Sequence, residues 1–514
     1  MERSTTYITT SIHYPNALPH MGHALEIVQA DFLARYHRLF TTNQVRFQTG
    51  VDEHGLKMYR AAETAGKPVA QFTEEQQQHF ISLFRDLGVE ADRFIRTSED
   101  AHKEMAQALW RACEAKGDIY RKTYRAWYDV KEEEFLASAD EVTDPSVFGI
   151  EERFLELIEE ENYFFAASKY TTAVRELLSS NTYQIVPENR KLEILNFLDS
   201  KGMQDVSISR QVSKLPWGVP VPGDDSQVMY VWFDALTNYL TGAASVVDGV
   251  IVPDTFWPAS LHCVGKDISR FHALLWPAML LSAGIAVPER LLTHGFVLGE
   301  GGRKMSKSLG NVVDPAVMLA EYGQSAVRWY LLKEIPTFGD GVFTESRIAE
   351  VYASDLANDY GNLVSRVVTM AKKYADGKVP SAEHGAAGNV EQAVVEEKWR
   401  DYHAAVAKLE LNTALECAHS LVVFANKRIE ELKPWAMAKE GDTEALHELL
   451  YELLELIRHV TLMYQPAIPE SASRVTELVY GSVDGGDQPW IWGLLRAGEL
   501  LPEETPILFP RRTA

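Results

Sequence analysis

The sequence predicts an α/β domain built on a parallel sheet, interrupted by an insertion and followed by an all-α helix bundle. Three observations lead there. Short apolar strands alternate with helical patterns over residues 1–115 and again over 206–298. The stretch 116–205 between them changes character, mixing acidic and aromatic residues. Beyond about residue 345 the strand pattern stops and long amphipathic helices take over. With 514 residues, 46% of them hydrophobic, the chain can bury a large core in more than one domain.

The first strand is Tyr7-Ile-Thr-Thr-Ser-Ile12, rich in β-branched residues. The first helix follows, with Leu25, Val28, Phe32 and Tyr36 at i, i+3, i+7 and i+11. Between them His13-Tyr-Pro-Asn-Ala-Leu-Pro-His20-Met-Gly-His23 forms a strand-to-helix turn, stiffened by Pro15 and Pro19. Such a turn sets unsatisfied helix N–H groups at the rim of a sheet, a ready anion site. His20 and His23 share one face of the first turn, and Gly22 leaves the backbone open to a ligand. Taken alone the pair also fits a plain surface position, and a metal lacks an obvious third ligand nearby. The strand Gln44-Val-Arg-Phe-Gln-Thr49 leads into Gly50-Val-Asp52-Glu-His-Gly55, where an open parallel sheet collects ligands. Asp52 there suits a substrate ammonium group, or equally the cap of the next helix.

The insertion contains Trp127-Tyr-Asp-Val-Lys-Glu-Glu-Glu-Phe135 and Glu159-Glu-Glu-Asn-Tyr-Phe-Phe165, with helical patterns at 169–180 and 188–201. The sheet pattern resumes at Asp205-Val-Ser-Ile-Ser-Arg210. It continues through Val228–Ala235, a strand running into a helix, and through the short apolar strands Leu261–Asp267 and Leu291–Leu298. Residues 299–345 begin with a loop that Gly299, Gly301 and Gly302 make mobile. Its Lys304, Ser306, Lys307 and Ser308 can close over a triphosphate and follow its charge, although composition also allows an ordinary solvated loop. The P-loop spacing is absent. In the bundle, residues 346–514, the clearest seam is Leu446, Leu449, Leu450, Leu453, Ile457 and Val460, ending before Pro466. Ser381–Asn389 reads as a connecting loop.

Cys113, Cys263 and Cys417 lie far apart, so neither a disulfide framework nor a cysteine zinc site is supported. The N-terminus has no apolar signal core and no apolar run reaches membrane-spanning length. A reducing, cytoplasmic setting without a membrane partner is expected. The net charge of −23 argues against a general nucleic-acid binder. It leaves room for a specific RNA met by local basic patches, with strong salt dependence.

His20-Met-Gly-His23 together with Lys304-Met-Ser-Lys-Ser308, in that order on an α/β domain followed by a helix bundle, resembles the class I aminoacyl-tRNA synthetases. Finer signatures resemble the methionyl-tRNA synthetase family: Tyr14-Pro-Asn16, Asp52-Glu-His-Gly55, Glu161-Asn-Tyr-Phe-Phe165, Trp232-Phe-Asp-Ala235, Gly265-Lys-Asp-Ile268 with Phe271-His272, Asn362-Leu-Val-Ser-Arg366 and Lys433-Pro-Trp435. The likeness spans nearly the whole chain. It implies a Rossmann-like nucleotide-binding domain and ATP-dependent attachment of methionine to tRNA(Met) through methionyl-adenylate, with Mg²⁺ accompanying ATP. By the resemblance His20, His23, Lys304 and Lys307 are catalytic. ATP contacts would also come from Gly22, Gly265, Asp267, His294, Gly295, Phe296 and Ser306. Asp52 would pair with the methionine ammonium. Ile12, Tyr14, Trp232, Ala235, Tyr239, Ile268 and His272 would enclose its side chain, with Tyr14 and His272 offering donors towards sulfur. Asn362, Arg366 and Trp435 would read the anticodon CAU.

The chain departs from the pattern in two places. Many members hold zinc through cysteines in the insertion, where this chain has Asp129 and Glu132. The expectation is therefore no zinc, and a knuckle packed by residues such as Trp127, Tyr128 and Phe135. Lacking the C-terminal extension of some members, the chain is expected to be a monomer. Two competing readings are a class I synthetase for cysteine or a branched aliphatic acid, and a catalytically silent paralogue that binds tRNA or protein. The first lacks an editing-sized insertion and zinc-ligand cysteines, and the intact His20, His23, Lys304 and Lys307 argue against the second.

Overall fold

The computed structural model describes residues 4–130, 134–138, 142–305, 312–381, 390–479, 481, 489–501 and 507–511. The chain divides into two compact units. The first comprises Met1–Pro19, Gln44–Leu83 and Glu90–His294; the second comprises His20–Asn43, Phe84–Val89 and Gly295–Ala514.

Strand β1 (Thr5–Thr10) is buried along its whole length. Helix α1 (Met21–Phe40), which belongs to the second unit, covers the predicted 3.6-residue pattern. Next come β2 (Gln44–Val51), α2 (Leu56–Thr64), α3 (Val69–Asp86), β3 (Arg93–Arg96) and α4 (Asp100–Ala115). The insertion supplies β4 (Ile119–Asp129), β5 (Glu134–Ser138) and β6 (Leu155–Phe165). Then follow α5 (Thr171–Ser179), β7 (Gln184–Val186), α6 (Glu188–Lys201), β8 (Val206–Ser207), β9 (Ser209–Gln211), β10 (Pro220–Val221) and β11 (Asp224–Met229). The first unit ends with α7 (Val231–Leu236), α8 (Asn238–Thr241), the hairpin β12 (Ala244–Val247) and β13 (Val250–Pro253), then β14 (Leu261–Gly265), α9 (Trp276–Ala283) and β15 (Arg290–His294).

The parallel sheet runs β3-β2-β1-β14-β15-β7, with Ile8 of β1 between Phe47 of β2 and Leu261 of β14. From β1 the order runs outward to β3, and from β14 it runs outward the other way. The crevice beyond the carboxyl ends of β1 and β14 is therefore the topological switch point, where open α/β sheets bind ligands. Trp110, Trp276, Tyr7, Tyr183 and Tyr239 fill the core beneath it.

Two expectations need correcting. The range 116–205 is not wholly an insertion: β7 lies inside it and joins the parallel sheet, pairing Ile185 with Leu291 of β15. Three residues are too few to show a strand period. Asp205–Arg210 does not resume the parallel sheet either. Its residues go to two antiparallel sheets, β5-β4-β6-β8 and β10-β11-β9. Ser207 and Ser209 are both buried, so the alternation with Val206 and Ile208 marks no solvent-facing side; the break between β8 and β9 at Ile208 is set by their different partners, β6 and β11.

The second unit holds α1 and, after Gly295, a small sheet of β16 (Val297–Gly299), β17 (Arg303–Lys304) and β18 (Gly341–Val342). A Cβ at Gly295 would stand 2.1 Å from the Gly339 carbonyl oxygen, so only glycine fits. Helices α10 (Pro315–Tyr322), α11 (Gln324–Lys333) and α12 (Glu345–Val351) lead through a π-helical stretch, Tyr352–Gly361, into α13 (Asn362–Tyr374). The bundle continues with α14 (Val390–Ala407), α15 (Leu411–Leu432), α16 (Pro434–Glu440), α17 (Thr443–Tyr464) and α18 (Pro469–Val479). All six residues of the predicted α17 seam are buried. Of the expected loop Ser381–Asn389, residues 382–389 lie outside the described residues. Arg328 of α11 is fully buried. Its guanidinium pairs with Asp31 of α1 at 2.7 Å and donates to the carbonyls of Leu87, Pro466 and Ala467 at 3.1, 2.9 and 2.7 Å.

Within α17, Glu455, Arg458 and His459 form a buried cluster that holds the C-terminal segment. Arg458 donates to Glu455 and to the carbonyls of Pro489 and Ile491, and Glu455 accepts the Leu495 N–H. Burial pushes the Glu455 carboxyl up, but its contacts with His459 and Arg458 outweigh that and hold it at about 2. Burial depresses His459 to about 4. Both groups bind protons more tightly once unfolded, so both stabilise the fold at neutral pH. The His459 contribution is lost as pH falls from its ordinary 6.5 towards 4, and the Glu455 contribution as pH falls from 4.5 towards 2. The thermal midpoint should therefore fall steadily below pH 6.5, and Glu455→Gln should flatten the lower limb of that profile in calorimetry.

Candidate active site

In the first unit the chain leaving β1 stays beside β2. His13 bridges Val51 in parallel, its N–H donates to the Gly50 carbonyl at 3.2 Å, and its own carbonyl accepts the Asp52 N–H at 2.9 Å. Ile12 and Tyr14, both half-buried, are thereby set next to Asp52. Tyr14 packs on Met58, Ala62 and Phe72, with the Lys57 ammonium 5.2 Å from its ring centre. Asp52 is buried, and one of its oxygens accepts from the His54 N–H at 3.2 Å and the Thr97 hydroxyl at 3.3 Å. Beside it, buried Glu53 is held by Arg96 and Ser98, and its carbonyl accepts the Trp217 indole N–H.

The aromatic wall comes from α7, α8 and the segment before α9. Trp232 stacks on Phe271 with centroids 3.9 Å apart and meets His272 edge-on at 6.3 Å. His272 Nδ1 lies 3.0 Å from the Ile268 carbonyl, which only accepts, so Nδ1 carries the proton. Nε2 then accepts the Tyr239 hydroxyl at 2.6 Å. Both ring nitrogens are thus engaged within the wall, and the expected His272 donor towards sulfur is directed at Ile268. Tyr239 in turn faces His262 at 4.0 Å. Burial, reinforced by His272, lowers His262 well below its ordinary value, keeping it neutral between Thr9 and Trp276. Ala235 is buried at the base of this wall.

At the end of β14, Gly265 pairs with His294 of β15, and the Lys266 N–H donates to the His294 carbonyl at 3.1 Å. A Cβ at Gly265 would stand 2.6 Å from an Asp267 carboxylate oxygen, so glycine lets Asp267 fold back over the strand end. In the second unit, the Phe296 N–H donates to Asp340 at 2.9 Å.

Also in the second unit, α1 starts with a capping box built from two histidines rather than the usual hydroxyl and carboxylate or carboxamide. His20 Nδ1 accepts the Gly22 N–H at 3.1 Å, and His23 Nδ1 accepts the His20 N–H at 3.2 Å. Their rings stack 3.8 Å apart. With both Nδ1 atoms accepting, each neutral ring carries its proton on Nε2. The helix start therefore presents two imidazole N–H donors besides its positive dipole end. A Cβ at Gly22 would come within 2.9 Å of the His20 ring. Lys304 is placed in β17 opposite Leu298, with nothing described of its side chain; Ser306 and Lys307, like Glu132, lie outside the described residues.

In the bundle, Asn362 and Arg366 occupy the first turns of α13, and Arg366 pairs with Glu430 at 2.7 Å. Glu430 lies in the last turn of α15, which leads through Lys433 into α16, the helix that carries Trp435. Trp435 is 43% exposed, which excludes a core-packing role.

Sequence reasoning missed three buried side chains. His54 and Asp234 lie inside recognised motifs but carried no assigned role. His102, on α4, had no local signal at all. Asp234 accepts from His54 Nδ1 and His102 Nε2, each at 2.7 Å.

Comparison with known proteins fits this geometry. The family model described as "tRNA synthetases class I (M)" matches residues 6–148 and 138–368, and "Anticodon binding domain of methionyl tRNA ligase" matches 379–506. The methionine--tRNA ligase of Brucella suis biovar 1 (strain 1330) is 38% identical over 99% of this chain and 98% of its own. That of Mycobacterium tuberculosis (strain ATCC 25618 / H37Rv) is 40% identical over 98% of this chain and 97% of its own. A solved structure of Mycobacterium tuberculosis methionyl-tRNA synthetase in complex with methionyl-adenylate superposes with a TM-score of 0.90. It is 37% identical and covers 99% of this chain and 100% of that one. The chain belongs to the methionyl-tRNA synthetase family of the class I tRNA synthetases.

Proposed function

We propose that the protein is a working methionine--tRNA ligase. The methionine carboxylate attacks the α-phosphorus of ATP, forming methionyl-adenylate and releasing pyrophosphate. The terminal ribose hydroxyl of tRNA(Met) then takes the acyl group and AMP leaves. No covalent bond to the protein is needed, so catalysis rests on positioning and on stabilising the transferring phosphate.

The observation that carries this reading is the buried Asp52 carboxylate, linked through His54 to Asp234 on the helix that carries Trp232, together with the wall of Trp232, Tyr239 and His272. It provides an anion for an α-ammonium and aromatic faces for a polarizable thioether. With His272 engaged by Ile268, the sulfur donor falls to the Tyr14 hydroxyl. His20 and His23 hold ATP phosphates through their Nε2–H groups, supported by Gly22, Gly265, Asp267, His294, Gly295, Phe296, Lys304 and Ser306. Lys307 follows the triphosphate into the transition state. Mg²⁺ arrives as part of the ATP substrate.

The test is amino-acid-dependent exchange of pyrophosphate into ATP across the standard amino acids. Methionine alone should support it; exchange with leucine or cysteine instead would sink the reading. Trp435, with Asn362 and Arg366, reads the anticodon. Trp435→Ala should weaken tRNA charging roughly 10- to 100-fold, as loss of one stacked base does, and leave exchange unchanged.

The knuckle needs no zinc in this reading. Tyr128 is buried beneath the Arg210 guanidinium, its backbone stands opposite Phe135 in the β4–β5 ladder, and the Trp127 indole donates to the Val142 carbonyl at 2.8 Å. Elemental analysis of the purified protein should find no stoichiometric zinc. A cytoplasmic monomer completes the proposal; among the described residues no helix is long and apolar enough to cross a membrane.

A further inference from the structure

Among the contacts that aim the Asp52 carboxylate are the main-chain N–H of His54 and the hydroxyl of Thr97. What fixes His54 lies far away in sequence. Its Nδ1 donates to Asp234 Oδ2 at 2.7 Å, and the other oxygen of Asp234 accepts from His102 Nε2 at 2.7 Å. His102 Nδ1 is braced by the Thr241 hydroxyl at 3.0 Å. His54, His102 and Asp234 are all at most 1% exposed, and the edge of Trp217 meets the His54 ring. Asp234 stands on α7 between Trp232 and Ala235. One carboxylate therefore ties the Asp52 loop to the helix that carries the side-chain wall.

We propose that Asp234 is a positioning residue for the methionine α-ammonium, holding Asp52 in register through His54. This inference rests on the assignment of Asp52 made above. Burial opposes ionisation of Asp234, but the two histidines outweigh it and hold the carboxyl at about 2. Asp234 therefore accepts from both rings at once at any working pH. In Asp234→Asn the new NH₂ group faces one ring N–H, so one contact is lost and the His54 backbone is released.

A role confined to packing would weaken every ligand of the pocket alike, whereas a role through Asp52 weakens only ligands that carry the ammonium. Binding of methionine and of 4-(methylthio)butanoate, which lacks the amino group, separates the two. Asp234→Asn should raise the methionine Kd about tenfold or more, the scale of a small misplacement in a site. It should leave the butanoate Kd and the KM for ATP near wild type. His102→Gln, which keeps a donor near the Nε2 position, should retain most of the methionine affinity, and His102→Asn should not. If Asp234→Asn fails to fold, the His102 pair carries the same comparison. Equal weakening of both ligands, or of neither, overturns the inference. Asp52→Asn serves as reference: if it keeps the full preference for methionine, the Asp52 assignment itself fails. If it loses the preference while Asp234→Asn keeps it, only this inference fails.

Discussion

Replacing His23 by asparagine is expected to lower kcat for methionine-dependent pyrophosphate exchange by about 10²- to 10³-fold, the cost of one preorganised donor to a developing phosphate charge. The substitution is chosen for what it keeps. An asparagine oxygen sits near the position of His23 Nδ1 and still accepts the His20 N–H, so the start of α1 stays capped. Only the Nε2–H donor is lost. His23→Gln reverses the choice, keeping a donor near Nε2 and forfeiting the cap, and should recover part of the rate. Methionine affinity should be unchanged in both, because the loss is confined to the phosphate transition state. If both variants lost rate and methionine affinity together, the effect would be unfolding of the helix start rather than loss of a donor.

Arg328→Ala should cost about 3–5 kcal/mol of stability, the price of stranding a buried charge, measured by urea unfolding. Asp31 would keep its contact with Arg35 at 2.8 Å but lose the fully buried partner. Replacing both charges, Asp31→Leu with Arg328→Met, should recover only part of the loss. A buried ion pair exchanged for packed apolar groups is often neutral, but here Arg35 would also lose Asp31, and the carbonyls of Leu87, Pro466 and Ala467 would lose their donor. Full recovery in the double variant would show that Arg35 and the three carbonyls find other partners.

Much of the sheet and the two-histidine start of α1 was legible because each rests on short-range signals. The turn from β1 to α1 shows as a change of period, and His20 and His23 are only three residues apart. The missing pieces are long-range or unusual. Strand β7 is too short to show a period, and its place in the sheet is set by β15, about a hundred residues on. The contact between His54 and Asp234 joins residues 180 apart, and His102 looks like any polar residue on a helix. The capping box at α1 was hidden because histidines replace the residue types that usually mark one. Arg328 is of a residue type usually exposed yet lies in the core, which only its tertiary partners reveal.

The way the insertion joins the first unit has a consequence for how such chains can vary. Ile119 and Phe165, at its two ends, face each other in the β4–β6 ladder, and the Ala166 N–H donates to the Asp118 carbonyl at 2.8 Å. The chain thus leaves and returns at one residue pair, but the ladder beyond it is fastened again: Phe164 pairs with Ser207 of β8, Arg60 of α2 reaches Glu156 at 2.7 Å, and the Arg210 guanidinium lies over the Tyr128 ring. A change of length or register in the insertion is therefore transmitted to α2, which follows the Asp52 loop, and to the strands that lead into α7.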